Sequence, residues 1–188
     1  MARPKAFDRD TALDAATGVF RAHGFDAAST EALTGAMRIG RQSLYDTFGD
    51  KWQLYLAALA RDTGGDLAAH LAALGTGPRA VDGLEIFLAR VRAAAAEPCL
   101  GLGAALTYGR GRPEVNAILD AADRTLLAAL AARLRDAQAE GDVAEGVDAR
   151  EAAAFLSAAV SGIRLAGRRG AGAVQLQALA ELSLRALR

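Results

Sequence analysis

The chain has 188 residues, and its 22 Lys and Arg are balanced by 22 Asp and Glu, so it is formally neutral, which argues against a general nucleic-acid binder that relies on bulk positive charge. That length can bury a full core in one or two compact units, and abundant Ala and Leu, few aromatic residues and no half-buried alternating run predict an all-α protein. One cysteine rules out an internal disulfide framework, Met1 to Asp10 lacks the apolar core of a signal peptide, and no run of about 18 apolar residues is available to span a membrane, so a cytoplasmic protein is expected.

Leu13, Ala16, Val19 and Phe20 fall at helical spacing and predict a first helix over about residues 9 to 23, ended by Gly24. Ser29 is an N-cap for a second helix over about 30 to 37, with Leu33, Ala36 and Met37 as its buried stripe. Arg38, Ile39 and Gly40 interrupt it. Ile39 is apolar enough to plug the inside of a turn, and Gly40 is read as the residue free of side-chain constraint. A third helix starts near Arg41, where Leu44 and Phe48, four apart, face inward and leave Arg41, Gln42, Ser43 and Tyr45 outward or sideways. Gly49-Asp50-Lys51 then reads as a stop followed by a new N-cap, with Lys51 at a helix N-terminus suited to a phosphate.

Two short helices joined by a tight turn, the second displaying polar side chains, make a DNA-reading helix-turn-helix. Arg41, Gln42 and Ser43 are the expected base readers, since Arg can fork onto guanine and Gln onto adenine. Tyr45, Lys51, Ser29 and Thr30 are the expected phosphate contacts. Basic and acidic residues balance in the first 56 positions, so DNA binding must depend on where the cations sit and be salt-sensitive. Arg3 and Lys5 could reach along DNA as a short arm or remain a solvated terminus.

The stretch STEALTGAMRIGRQSLYDTFGDK, Ser29 to Lys51, resembles the DNA-binding domain of the TetR family of bacterial transcriptional repressors. Ala12 to Thr30 is similar to the family's first helix with its glycine-aromatic exit, here Gly24-Phe25, and Leu44 to Leu59 to the end of the recognition helix and the start of a long fourth helix. The family commonly has a small residue, often Gly, where this chain has Arg38, and a Ser, Thr or Asn cap where it has Gly40. Such a departure leaves the third helix less firmly capped by about a few tenths of a kcal/mol. Arg38 could also add a phosphate contact.

Further along, a fourth helix is expected over about 51 to 74, with Gly64-Gly65 able to kink it. Helices near 80 to 96, 99 to 108, 113 to 140, 148 to 168 and 172 to 187 follow, separated by Gly and Pro, for about nine in all. The expected division is a DNA-binding domain over 1–50 and a helical ligand-binding and dimerisation domain over 51–188. In the last two helices Leu156, Ala159, Val160, Ile163, Leu176, Leu179, Leu182, Leu184 and Leu187 occupy more than one face, and a helix apolar on two sides needs two neighbours. A homodimer interface meets that need, as in the resembled family. So does an ordinary intramolecular core.

The resemblance implies a small-molecule pocket in the C-terminal body, with ligand binding favouring a state that no longer fits DNA. Phe87, Val91, Cys99, Leu100, Leu102, Leu106, Tyr108, Ile118 and Leu119 are candidates to line it, and plain core packing is the alternative. Cys99 follows Pro98 and is expected in the first turn of a helix, either as a reactive thiol that senses oxidants or electrophiles or as a small buried apolar residue. No pair among His23, His70 and Cys99 has metal-ligand spacing, so no metal and no cofactor are expected; His23 is read as a cation near a helix end and His70 as a solvated face residue. No catalytic motif points to an enzyme.

These readings converge on a ligand-responsive, dimeric, sequence-specific transcriptional regulator, most simply a repressor, with a near-palindromic double-stranded operator as partner. An activator, and a helical interaction module without DNA binding, are the rivals.

Overall fold

The computed structural model describes residues 7–188. Arg3 and Lys5 lie outside the described residues. Nine helices and no strand occur among the described residues, in the order α1 (Arg9–Ala27), α2 (Thr30–Met37), α3 (Arg41–Phe48), α4 (Lys51–Leu74), α5 (Ala80–Ala93), α6 (Leu100–Tyr108), α7 (Pro113–Ala139), α8 (Ala149–Arg168) and α9 (Ala173–Arg185). The all-α fold is therefore as the sequence predicts. No helix among the described residues is long and apolar enough to cross a membrane.

The helix limits follow from side-chain chemistry. Asp8 caps α1 by accepting from the Thr11 amide at 2.6 Å, and Asp148 caps α8 by accepting from Arg150 and Glu151. Hydrogen bonding to the Thr11 backbone and side chain holds the Asp8 carboxyl below its usual range. Pro113 opens α7 at the position where a missing N–H does no harm. Within α1, Gly24 takes φ 72°, so the regular helix breaks where the sequence places its end. The α4 helix runs through Gly64 and Gly65 with positive φ at neither. The α5 helix stops at Ala93, short of the expected residue 96, and turn residues carry the chain to Pro98, whose ring disfavours helix in the residue before it.

Packing groups the helices into two compact units. One comprises the described residues up to Gly64 together with Pro98–Leu119. Its core is built from Leu13 and Phe20 of α1, Leu33, Leu44 and Phe48 around the turn, Leu54, Tyr55 and Leu59 of α4, and Leu100, Ala104 and Val115. Tyr55 meets the rings of Phe20 and Phe25 edge-on at 5.2 and 5.3 Å. Burial, with Tyr108 beside it, pushes the Tyr55 hydroxyl well above its ordinary pKa.

The other unit comprises Gly65–Glu97 and Asp120–Arg188. Its core joins Leu84, Phe87 and Val91 of α5, Leu130 and Leu134 of α7, Leu156 and Ile163 of α8, and Leu176 and Leu184 of α9. Burying each such side chain is worth roughly 1.5–3 kcal/mol. Gly83 and Gly167 allow close approaches, since a Cβ there would come within 2.2 Å of the Leu74 carbonyl oxygen and 2.6 Å of Ala95 respectively. Of the apolar residues expected on two faces of α8 and α9, most are buried and Leu182 is exposed, and Phe155, Leu165 and Val174, not among those expected, are exposed as well. Leu156, Val160, Ile163, Leu176, Leu184 and Leu187 are buried, whereas Phe155 and Leu165 on α8 and Val174 and Leu182 on α9 are 44%, 43%, 86% and 50% exposed.

Candidate nucleic-acid interface

The turn between α2 and α3 is made by backbone hydrogen bonds. Arg38 takes φ 54° and ψ 41°, and the amides of Arg38 and Ile39 reach back to the carbonyls of Gly35 and Thr34. Those bonds satisfy carbonyls that the end of α2 would otherwise leave open. Gly40 is extended, with φ −72°, and is the N-cap of α3 without a side-chain acceptor. The reading of Gly40 as the residue that needs freedom is thus corrected. Forming the cap at the end of α2 requires the left-handed conformation two residues earlier.

Leu44 and Phe48 of α3 are buried at 1% and 7% exposure, and this anchors the helix so that Arg41, Gln42 and Tyr45 are exposed while Ser43 is half-buried. Ser29 Oγ accepts from the Ala32 amide at 3.0 Å, which places Ser29 and Thr30 at the start of α2. Asp50 Oδ1 accepts from the Gln53 amide at 2.8 Å and caps α4, so Lys51 lies in its first turn as the sequence suggests. All seven residues named as candidate DNA contacts belong to α2, α3, α4 or the caps before them, within the same compact unit.

Sequence reasoning missed three neighbours of this surface. Gln42 Nε2 donates to Asp46 Oδ1 at 2.8 Å, so a carboxylate one turn away holds the amide and adds negative charge to the face that displays Arg41. Spacing of i and i+4 on α3 could have revealed it. Lys51 Nζ sits 4.5 Å from the centre of the Phe25 ring, and Phe25 meets Trp52 edge-on, so the lysine is half-buried and held by a cation–π contact. Arg9 lies over the Phe48 ring at 5.2 Å. These last two contacts join residues far apart in sequence and leave no local signal.

The reading helices are braced from behind. Buried Asp62 of α4 pairs with Arg21 of α1 and accepts the Leu100 amide at 3.0 Å, tying α1, α4 and the start of α6 together. Arg61 pairs with Asp10 and Asp14 on α1, a more exposed contact worth less. Arg112 lies over the Trp52 ring at 5.1 Å.

The residues proposed to line a pocket are distributed unevenly. Phe87 and Val91 are fully buried in the core of the second unit. Leu100, Tyr108, Ile118 and Leu119 pack in the first unit, Leu102 is half-buried, and Leu106 is 68% exposed and joins neither core. Cys99 is the N-cap of α6 rather than a residue of its first turn; its half-buried Sγ accepts from the Leu102 amide at 3.4 Å. His70, expected on a solvated face, is 6% exposed because Phe87 covers it, with ring centres 5.1 Å apart. Burial pushes its imidazole down to about 4, with Arg164 and Arg90 reinforcing the shift and Asp66 opposing it. Among the described residues no group of three His, Cys, Asp or Glu is placed to hold a metal ion.

The sequence signature of "Bacterial regulatory proteins, tetR family" matches residues 12–58, from α1 into α4. Over 97% of its length the chain is 29% identical to the HTH-type transcriptional repressor ComR of Escherichia coli (strain K12), of which it covers 90%. It superposes with a TM-score of 0.81 and 36% identity on a cysteine-substituted form of the TetR family transcriptional regulator CifR complexed with 26-bp double-strand operator DNA, covering 98% of this chain and 99% of that one. A TetR transcriptional regulator from Chloroflexus aurantiacus J-10-FL shares the fold, with a TM-score of 0.82 at 21% identity over 94% of this chain and 92% of that one.

Proposed function

This chain belongs to the TetR family of bacterial regulatory proteins, transcriptional regulators and not enzymes, and from that premise we propose that it is a dimeric, sequence-specific repressor released from its operator by a small molecule. The observation that carries the DNA-reading part is the display of Arg41, Gln42 and Tyr45 on α3 opposite the buried Leu44 and Phe48. Arg41 and Gln42 read base edges, with Ser43 at the margin, while Tyr45, Lys51, Ser29 and Thr30 position phosphates. Residues 1–50, with Lys51 at the start of α4, carry this role, and the rest of 51–188 carries dimerisation and ligand binding. The operator complex of the CifR variant supports double-stranded DNA as the partner, and the likeness to ComR supports repression.

Dimerisation is supported by the apolar residues left open on α8 and α9, namely Phe155, Leu165, Val174 and Leu182. Pairing two copies through that face buries it and presents two α3 helices to half-sites about one helical turn apart, so the operator is near-palindromic. Action on chromosomal DNA places the protein in the cytoplasm. The test is binding to DNA from just upstream of its own coding region against random DNA across a salt series. Selective, salt-dependent binding by a dimer is expected. Failure to prefer any sequence, including in a selection from random DNA, rejects DNA reading in favour of an interaction module.

A further inference from the structure

Asp66 and His70 lie one turn apart on α4, and Arg90 of α5 and Arg164 of α8 converge on them. Arg164 Nη2 donates to Asp66 Oδ2 at 2.9 Å, and Arg90 Nη2 donates to Asp66 Oδ1 at 3.3 Å. Two guanidinium groups therefore share one carboxylate. The Arg164 side chain is only 8% exposed and His70 only 6%. Two polar atoms in this cluster, Arg90 Nε and His70 Nδ1, are buried and have no hydrogen-bond partner.

Such an arrangement is unbalanced in charge and in hydrogen bonds. With His70 held neutral by its burial, two cations face one anion and leave one positive charge uncompensated. Arg164 is buried and paired with Asp66, whereas the partly exposed Arg90 is less tightly paired and its buried Nε–H is unsatisfied, which carries a desolvation penalty. An apolar core of similar shape would avoid both. The cluster is backed by the apolar core, since the fully buried Phe87 ring lies against His70. Asp66 and Arg90 are 28% and 35% exposed, so one side of the cluster is open to solvent.

We propose that Arg90, Arg164 and His70, with Phe87 as the adjoining apolar wall, anchor the carboxylate of a small apolar acid, and that acids of this class are the effector. The proposal rests on the reading of this protein as a ligand-responsive regulator and supplies the ligand's chemistry. The excess of one positive charge matches a monoanion; a dianion such as a phosphate monoester would outweigh it beside Asp66. Guanidinium groups take carboxylates through paired, charge-assisted hydrogen bonds, and the unpartnered Arg90 Nε–H is one donor for such a pair. His70 Nδ1 or its tautomeric N–H completes the polar end.

The experiment is calorimetric titration of the full-length protein with matched acids and amides, octanoate against octanamide and benzoate against benzamide, with release from operator DNA followed in parallel. At least one acid is expected to bind about tenfold or more tightly than its amide, the difference made by a charge-assisted hydrogen bond. Arg90→Met and Arg164→Met should erase that preference, and Asp66→Asn, which removes the competing carboxylate, should tighten acid binding. Should Arg164→Met fail to fold, Arg90→Lys keeps the charge without the fork and should weaken the acid selectively. In the wild type, bound acid should move the His70 NMR titration midpoint upward. Amides that bind as well as acids, a preference that survives both methionine variants, or no binding by either acid would overturn the proposal. Release of DNA by a neutral compound without acid preference would remove the anion site and leave the ligand-responsive reading intact. Acid binding without any operator preference would do the reverse.

Discussion

Arg38 holds a left-handed backbone two residues before Gly40, which is extended. The residue with a Cβ occupies the conformation that disfavours one, and the residue without a side chain occupies a cap that wants an acceptor. Arg38→Gly should therefore stabilise the protein by about 0.5–1 kcal/mol, and Gly40→Ser should add about a few tenths by capping α3. Denaturant unfolding of each variant checks this; destabilisation by Arg38→Gly would show that the Arg38 side chain contributes more than its backbone loses.

Arg41 and Lys51 should fail differently. Arg41→Ala is expected to weaken operator binding by about 1–3 kcal/mol and to relax sequence preference, whereas Lys51→Ala should weaken all sequences alike and lower the salt slope by about one. Binding isotherms on operator and random DNA at several salt concentrations separate the two. Equal losses on both DNAs for Arg41→Ala would reject its assignment as a base reader.

Asp46 restrains Gln42 and places a carboxylate beside the reading face. Asp46→Ala should strengthen binding to random DNA more than to operator, because it removes repulsion from phosphates while freeing the Gln42 amide to sample other acceptors. The ratio of the two affinities is the readout, and it should fall.

The neutral burial of His70 sets an acid limit on stability. In the folded protein its imidazole takes up a proton only near pH 4, against about 6.5 when unfolded. Between those values the unfolded chain holds the extra proton, so stability is fully present above that window and is lost as pH falls through it, on the order of 3 kcal/mol in all. Unfolding free energies at pH 7 and near pH 4 should differ less in His70→Leu than in the wild type.

The exposed apolar residues of α8 and α9 offer a test of assembly. Phe155→Glu with Leu182→Glu, at positions 44% and 50% exposed, should leave the subunit folded and make it monomeric. Sedimentation should report half the mass, and operator affinity should fall far more than for any single DNA contact, since one half-site is lost.

Local chemistry made most of the helices legible before any coordinates. Ser29, Asp50 and Pro113 mark helix starts by rules that act within a turn of the chain, and Leu44 with Phe48 orients α3 by spacing alone. What escaped was set by distant partners. His70 reads as a lone polar residue on a helix until Phe87 closes over it, and the Lys51 ammonium reads as free until Phe25 lies beneath it. Leu106 shows the opposite failure, an apolar residue in an apolar helix that packs on neither core. Gly40 is misleading too: a glycine in a turn suggests the site of an unusual backbone, whereas the end of α2 requires that backbone at Arg38.

The unit that carries the reading helices is discontinuous in sequence: it gathers residues up to Gly64, omits the next stretch and resumes at Pro98. Leu100, Ala104 and Val115 cover apolar surface on helices made some forty or more residues earlier, and the Leu100 amide satisfies the buried Asp62 carboxylate. On the ribosome, α1 to α4 therefore emerge with an unfinished core and with Asp62 paired to Arg21 but still lacking the Leu100 amide. The DNA-reading unit, though its helices are encoded first, can close its core only after α6 and the opening turns of α7 have left the exit tunnel, and the other unit, which runs to Arg188, closes later still.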